Sequence, residues 1–383
     1  MTLGESTRRL LARGRLSVAR STTLPLPALR GVLIALLMVT GLSFSGALRP
    51  LDDAVYDLLV GLRPFERPPQ QRVLLLEAGR EATDWRVVTD HLFAAGVQQV
   101  GFAIELSAAE VTRLASSPHA SRIVVGVPLS EHREHPEAVA IAPPLRAGAL
   151  FVPAERQGLR REQRRLISER RPPLPTLEAE LAGVASGDEV FGVNFNDGPE
   201  LPRLAAAEVA RASPVRQLSE GRTALIGAGA DPYALDLHAP GVRRALTPLE
   251  FHGLSLDTLL RERAIDRLGP AALLVTLLGL GLLGYLVSMP LRPQQGFMVL
   301  FGSLLGWFVA GGLLLHGFNV WLPLTEGIVT GVAVAVIVMH GKLVREDRRL
   351  QALARSAQRQ LGRWVLPTGF AESEEHWAHV VNL

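Results

Sequence analysis

Two acid and histidine pairs lie close together in the chain, Asp236-x-His238 and Glu250-x-His252. On an extended backbone an i, i+2 spacing puts both members of a pair on one face, so four groups could converge as ligands of a divalent metal or as the acid and base of a hydrolase. A structural assignment competes with this one. Asp231 and Asp236 suit side-chain turns, Pro232 and Pro240 fix a loop, and the histidines can be hydrogen-bonded within the fold. Spacing alone favours the structural assignment, and no metal or cofactor is expected.

The same stretch opens on an apolar run that enters Gly227 and Gly229. A dinucleotide site needs a strand followed by G-x-G-x-x-G opening directly into a helix. Here Ala230-Asp231-Pro232 follows instead, with no third glycine and no phosphate-binding lysine. The basic run from Glu155 to Arg171 is broken by Glu155, Glu162 and Glu169 and carries no aromatic residue, so it reads as a solvated face and nucleic acid is not an expected partner. Cysteine is absent, which excludes disulfides and thiolate chemistry.

The segments that must position these groups are set by four uncharged or nearly uncharged apolar blocks, 31–48, 270–288, 297–317 and 322–341. Each is long enough to cross a hydrocarbon core about 30 Å thick. The first is read as a retained anchor: about thirty residues precede it, and Leu48-Arg49-Pro50 offers no small-x-small cleavage site. Arg8, Arg9, Arg13, Arg15, Arg20 and Arg30 place residues 1–30 in the cytoplasm, and Lys342 with the arginines after it places 342–383 there too. Residues 49–268 are then extracytoplasmic.

Within 49–268, short apolar runs alternate with helix-like segments. Strands are expected at 72–78, 98–106, 121–129, 149–153, 189–195 and, as the last of them, 222–229; helices are expected at 85–96, 175–185 and 252–265. The expected fold class is an α/β extracytoplasmic domain, a mixed sheet flanked by helices, with four transmembrane α-helices. No ionisable group sits mid-span, and Glu326 lies near the outer end of the fourth block. Gly302, Gly306 and Ala310, and Gly327 with Gly331, have the four-residue spacing that permits close helix packing. Beyond the membrane, Leu343, Leu350, Ala357 and Trp364 recur every seven residues, with Ala354 and Leu361 between them and Asp347 on the seam, so a homodimeric coiled coil is expected. Residues 366–383 are too few to fold alone.

An ordered set of segments carries a resemblance. "LRPLDDAVYDLLVGLRP" (48–64) supplies Asp53, Tyr56 and Asp57 ahead of Leu62-Arg63-Pro64; "HLFAAGVQQVGFAIEL" follows; "GALFVPAERQGLRR" (148–161) keeps Gly158, Arg160 and Arg161; then come "LPTLEAELA", "RTALIGAGADPYALDLHAP" and "TPLEFHGLSLDTLLRER". Together, inside a frame of anchor, domain and three helices, residues 48–268 resemble the type-two CHASE domain, a sensory extracellular module associated with bacterial cyclases and histidine kinases. That resemblance implies a place in the inner membrane of a bacterial cell, ligand sensing, a cytoplasmic signalling partner and no catalytic domain within these residues. It departs from the family at Glu77-Ala78-Gly79, at Phe102-Ala103-Ile104-Glu105 and at Asp84-Trp85-Arg86, where a longer Trp and Pro segment is reduced. Candidate ligand contacts are therefore Asp236, His238, Glu250, His252 and Trp85. The alternative is a membrane scaffold whose outer domain binds a partner protein.

Overall fold

The computed structural model describes residues 26–62, 71–79, 83–128, 141, 143–150, 162–167, 174–184, 190–195, 201–212, 216–229, 245–289, 291 and 293–365. In chain order the elements begin α1 (Leu26–Phe44), α2 (Arg49–Leu62), β1 (Val73–Ala78), α3 (Trp85–Ala94), β2 (Gln99–Ala103), α4 (Ala108–Ala115), β3 (Ile123–Pro128) and β4 (Arg146–Leu150). Next are β5 (Glu162–Arg164), β6 (Leu166–Ile167), β7 (Leu174–Pro175), α5 (Leu177–Ala182), β8 (Val190–Gly192), β9 (Arg203–Ala205), α6 (Ala206–Arg211), α7 (Arg216–Ser219) and β10 (Thr223–Ala228). The chain closes with α8 (Pro248–Leu260), β11 (Asp266–Arg267), α9 (Pro270–Ser288), α10 (Pro293–Phe318), β12 (Val320–Trp321) and α11 (Leu324–Val365). These form two units: an α/β unit of Ala47–Leu273 with Trp307–Thr325, and a helical unit of Met1–Gly46, Leu274–Gly306 and Glu326–Leu383.

In the α/β unit a six-stranded sheet runs β4-β3-β2-β10-β1-β9, and every pairing in it is parallel. Strands buried on both faces read as continuous apolar runs rather than alternating ones, which is why "VLLLEA" and "TALIGA" form strands here. Val73 and Leu75 of β1 face a layer built from α5 and α8, while Leu74 and Leu76 face α3, α4 and α6. Helix entry is set by side-chain caps. Asp84 accepts from the Arg86 N–H at α3, and Ser107 with Glu110 and Thr247 with Glu250 form complete capping boxes at α4 and α8.

The pairings add what the apolar runs leave open. Among the described residues, antiparallel pairing lies outside the main sheet, in the two-stranded ribbons β5 with β8 and β6 with β7 and in the bridge of Gly192 with Ile265. The segment expected as a strand at 189–195 contributes β8 to one of those ribbons. Strand β10, last in sequence, sits in the middle of the sheet with β2 on one side and β1 on the other; β9, too short and polar to show periodicity, takes the edge beside β1.

Among the described residues, three helices are long and apolar enough to cross a membrane: Pro270–Ser288, Gln295–Phe318 and Leu324–Arg359. The first expected span, 31–48, is cut short at Phe44, and this segment qualifies only when joined to α2 across a 77° bend. Val32 and Leu36 of α1 pack with Tyr285, Val334 and Val338. The close approaches occur where glycine leaves room, with Gly281 against Leu36 and Gly31 against Ile337. Gly302 and Gly306, expected to serve this purpose, face open space instead. Lys342 donates from Nζ to the carbonyls of Ser288, at 2.6 Å, and Leu291, capping the carbonyl end of α9 with a positive charge.

Gly148 of β4 is the tightest test of how α5 sits on the sheet, since a Cβ there would lie 2.5 Å from the Leu177 Cα, a backbone atom that cannot rotate away. Gly148→Ala is expected to destabilise the α/β unit by about 2 kcal/mol, read as a lowered midpoint in chemical denaturation of the detergent-solubilised chain; an unchanged midpoint would contradict this packing.

Candidate functional site

Adjacent strands β1 and β10 send the chain to opposite faces of the sheet: β1 leads to α3 in one layer and β10 leads to α8 in the other. Diverging connections of this kind open a crevice at the carboxyl ends of the two strands, the usual place for a ligand in an open parallel sheet. The residues at that edge are Glu77 on β1 and Gly227 and Gly229 at the end of β10, with Gly229 close enough that a Cβ would touch the Glu77 carboxylate, 3.5 Å away. Arg203 of β9 reaches across, with Nη1 3.4 Å from Glu77 Oε1 and Nη2 paired to Glu250 Oε1. Glu77 and Arg203 are partly open to solvent, while Glu250 is buried.

Glu250 has a second task. It is the third residue of α8, where its carboxylate accepts from the Thr247 N–H at 2.6 Å while Thr247 Oγ1 accepts from the Glu250 N–H at 3.2 Å. The carboxylate thus caps the helix and balances Arg203, leaving Glu77 as the more accessible acid. Chemically this edge offers one guanidinium and one partly exposed carboxylate, a pair suited to hydrogen-bonding a small polar molecule.

His252 lies two residues beyond Glu250 on α8, with its ring buried. Its Nδ1 contacts Oε1 of Glu178, which also accepts from Gln163 Nε2 at 3.1 Å; Gln163 Oε1 accepts in turn from the Arg164 N–H. Glu178 and Gln163 are fully buried, so the cluster ties α5, α8 and β5 together inside the protein. A histidine and carboxylate pair can orient a proton for chemistry when it opens onto a substrate, but this one is enclosed. Sequence reasoning did not single out Glu178. Its one signal is position: it sits between Leu177 and Leu181 on the apolar stripe of a short helix, where a charge needs a partner.

A third polar cluster holds the far end of the α/β unit. Asp52 of α2 is buried, and its Oδ2 accepts from Trp321 Nε1 at 2.7 Å while Oδ1 accepts from the Thr325 N–H at 3.4 Å. Tyr56 meets the Trp321 ring edge-on at 4.8 Å between centroids. The connection between α10 and α11 therefore enters the core of the α/β unit: β12 pairs with β11, and Trp321 and Leu324 are buried. Arg267, beside Trp321 in that pairing, bonds Asp53 at 3.2 Å and Glu162 at 2.7 Å. Burial opposes its charge, but Glu162, Asp53 and Asp52 together hold its pKa above the ordinary arginine value.

Of the candidates read from the sequence, Glu250 and His252 are neighbours on α8 with separate partners, and Trp85 begins α3, where it packs edge-on against Phe102 in the core. Asp236 and His238 lie outside the described residues. Among the described residues no three His, Asp or Glu side chains are grouped to hold a metal ion. Comparison with protein-family models, with curated proteins and with solved structures returns no match.

Removing one member of the buried pair leaves the other without its counterpart. His252→Leu is expected to cost about 3 kcal/mol of unfolding free energy. The double change Glu178→Leu with His252→Leu is expected to cost clearly less than the two single losses added together, measured as a double-mutant cycle by denaturant unfolding. Strict additivity would show that the two residues do not act as a pair.

Proposed function

We propose that the protein is a bacterial membrane sensor in which the α/β unit, outside the inner membrane, takes up a ligand at the carboxyl ends of β1 and β10 and passes a conformational bias to the cytoplasm along α11. The observation that carries this reading is α11 itself. It is one helix of 42 residues whose first two, Leu324 and Thr325, belong to the α/β unit and whose remainder runs through an apolar stretch into a basic one. At about 1.5 Å per residue such a helix is roughly 60 Å long, about twice the thickness of a hydrocarbon core. Asp52 fixes its first turn by accepting from the Thr325 N–H.

The motif resemblance to type-two CHASE domains supports a sensory role, and the arginine-rich segments at both ends of the chain support cytoplasmic termini with residues 49–268 outside. On this reading the described residues bind and relay, and any catalysis belongs to a cytoplasmic signalling partner. Ligand binding biases the relay only if the ligand prefers one of two arrangements of the helices. Glu77 and Arg203 are the residues proposed to meet the ligand. Glu250 holds both the arginine and the helix N-terminus in place.

A thermal-shift screen of the solubilised chain against small polar metabolites tests the reading. A ligand at a hundred times its Kd is expected to stabilise the folded state by about 2.7 kcal/mol. For a unit of this size that is a rise in Tm of roughly 5–10 °C, and Glu77→Gln should remove the rise while leaving the unliganded Tm within about 1 °C. Asp52→Ala should preserve the ligand-induced rise yet abolish any ligand-induced change in a probe attached through Ala352→Cys. Capture of a partner protein by the α/β unit, with no small molecule raising Tm, would replace sensing with the scaffold reading.

A further inference from the structure

From the charge pattern of α11 beyond the apolar stretch, we infer that this part of the helix pairs in parallel with the same helix of a second copy, through a seam whose weakest layer is Asp347. The inference rests on the membrane reading above only for the orientation of the two copies: helices that leave the same membrane in the same direction pair in parallel and in register.

With Leu343, Leu350, Ala357 and Trp364 taken as heptad position d, Asp347, Ala354 and Leu361 fall at position a. Lys342 and every arginine from Arg345 to Arg363 then fall at positions b, c or f, on the outer side. Positions a, d, e and g carry no positive charge at all, and Glu346 and Asp347 are their only ionised residues. A helix solvated on all sides has no reason to sort its charges in this way. One that buries a single face against a like-charged copy must, because arginines at e or g would confront each other across the pair.

Within one chain this face is uncovered, with Leu343, Leu350 and Leu353 each more than half exposed. Alanine at 354 and 357 allows two backbones to approach closely. About three heptads are marginal in free solution, but anchoring both copies in one membrane raises their effective concentration. The second copy suits the seam better than an unrelated helix does, because the membrane holds each residue at the same depth as its counterpart, so leucine meets leucine without any further adjustment.

Asp347 interrupts the seam by setting like charges at one layer of the pair. Within its own chain its Oδ2 accepts from Gln351 Nε2 at 3.0 Å. A weak layer next to the membrane keeps the two paired arrangements close in energy, so that a modest bias from the outer unit can select between them.

Because the chain has no cysteine, single substitutions report pairing without background. Full-length protein in membranes, without added ligand, is oxidised after Leu343→Cys, Leu350→Cys or Ala357→Cys and, separately, after Arg345→Cys, Arg348→Cys or Arg355→Cys. The first set is expected to give at least about five times the disulfide-linked dimer of the second, following the heptad period. Adding Asp347→Leu to Leu350→Cys should increase the dimer about twofold or more. Equal yields across the two sets, a maximum at the arginine positions, no dimer at all or linkage only to a different protein would each overturn the pairing. No gain from Asp347→Leu would overturn the assignment of the weak layer. These yields are read without ligand, so they stand or fall separately from the thermal-shift screen.

Discussion

Strand β10 is the constraint on which the α/β unit depends. Its neighbours β1 and β2 are brought together only through it, since each bonds β10 on one side and neither bonds the other. Until residues 223–228 are delivered, one edge of β1 and one edge of β2 leave their N–H and C=O groups unpaired, a state that cannot persist in a buried sheet. The sheet is therefore completed by a contact of long sequence separation, and the segment that completes it is almost purely apolar and wholly buried up to its last residue. The helices that follow β1 and β10 in the chain, α3 and α8, pack on opposite faces of the sheet, so Glu77 and Gly229 lie where the two connections diverge.

Polar groups inside the unit are used as fasteners at points where apolar packing alone would not choose a partner. Arg203 with Glu77 and Glu250 ties the edge strand to the start of α8, Glu178 with His252 and Gln163 joins α5 to α8 and a surface ribbon, and Asp52 receives Trp321. Buried ionic groups add little net stability compared with apolar substitutes, but they are costly to leave unpaired and so favour a single arrangement. The first lies at the proposed ligand edge, the second joins α8 to α5, and the third holds the start of α11.

Much of the sheet was legible because double burial makes strands into uninterrupted apolar runs, and "RVLLLEA" and "RTALIGAG" could hardly be anything else. Their order was not legible, because neighbours in a parallel sheet are chosen by crossover topology rather than by any local pattern. Glu250 carries a local pattern of a different kind. Thr247-Pro248-Leu249-Glu250 is a readable capping-box pattern with proline at the first helical position, and it explains this acid more simply than a ligand does. Glu178 was hidden by its helix being only six residues long, too short for periodicity to expose a charge on the buried face. Asp52 was beyond reach for a third reason, since its partners lie 269 and 273 residues away.

The connection between α10 and α11 belongs to the α/β unit. Here Val320 and Trp321 form a strand with Asp266 and Arg267, and the Trp321 indole is enclosed by Asp52 and Tyr56, so the loop behaves as part of the α/β core. The α11 helix emerges from that core without an intervening linker, because Leu324 is both buried and the first helical residue. A displacement of α2 or β11 must then be accommodated by the first turn of α11, because Asp52 accepts from the Thr325 N–H and β11 pairs with β12. On the proposed sensing role, a ligand-dependent change in the α/β unit would reach α11 at that turn, where the helix has a buried residue and a fixed N–H rather than a loop to absorb the strain.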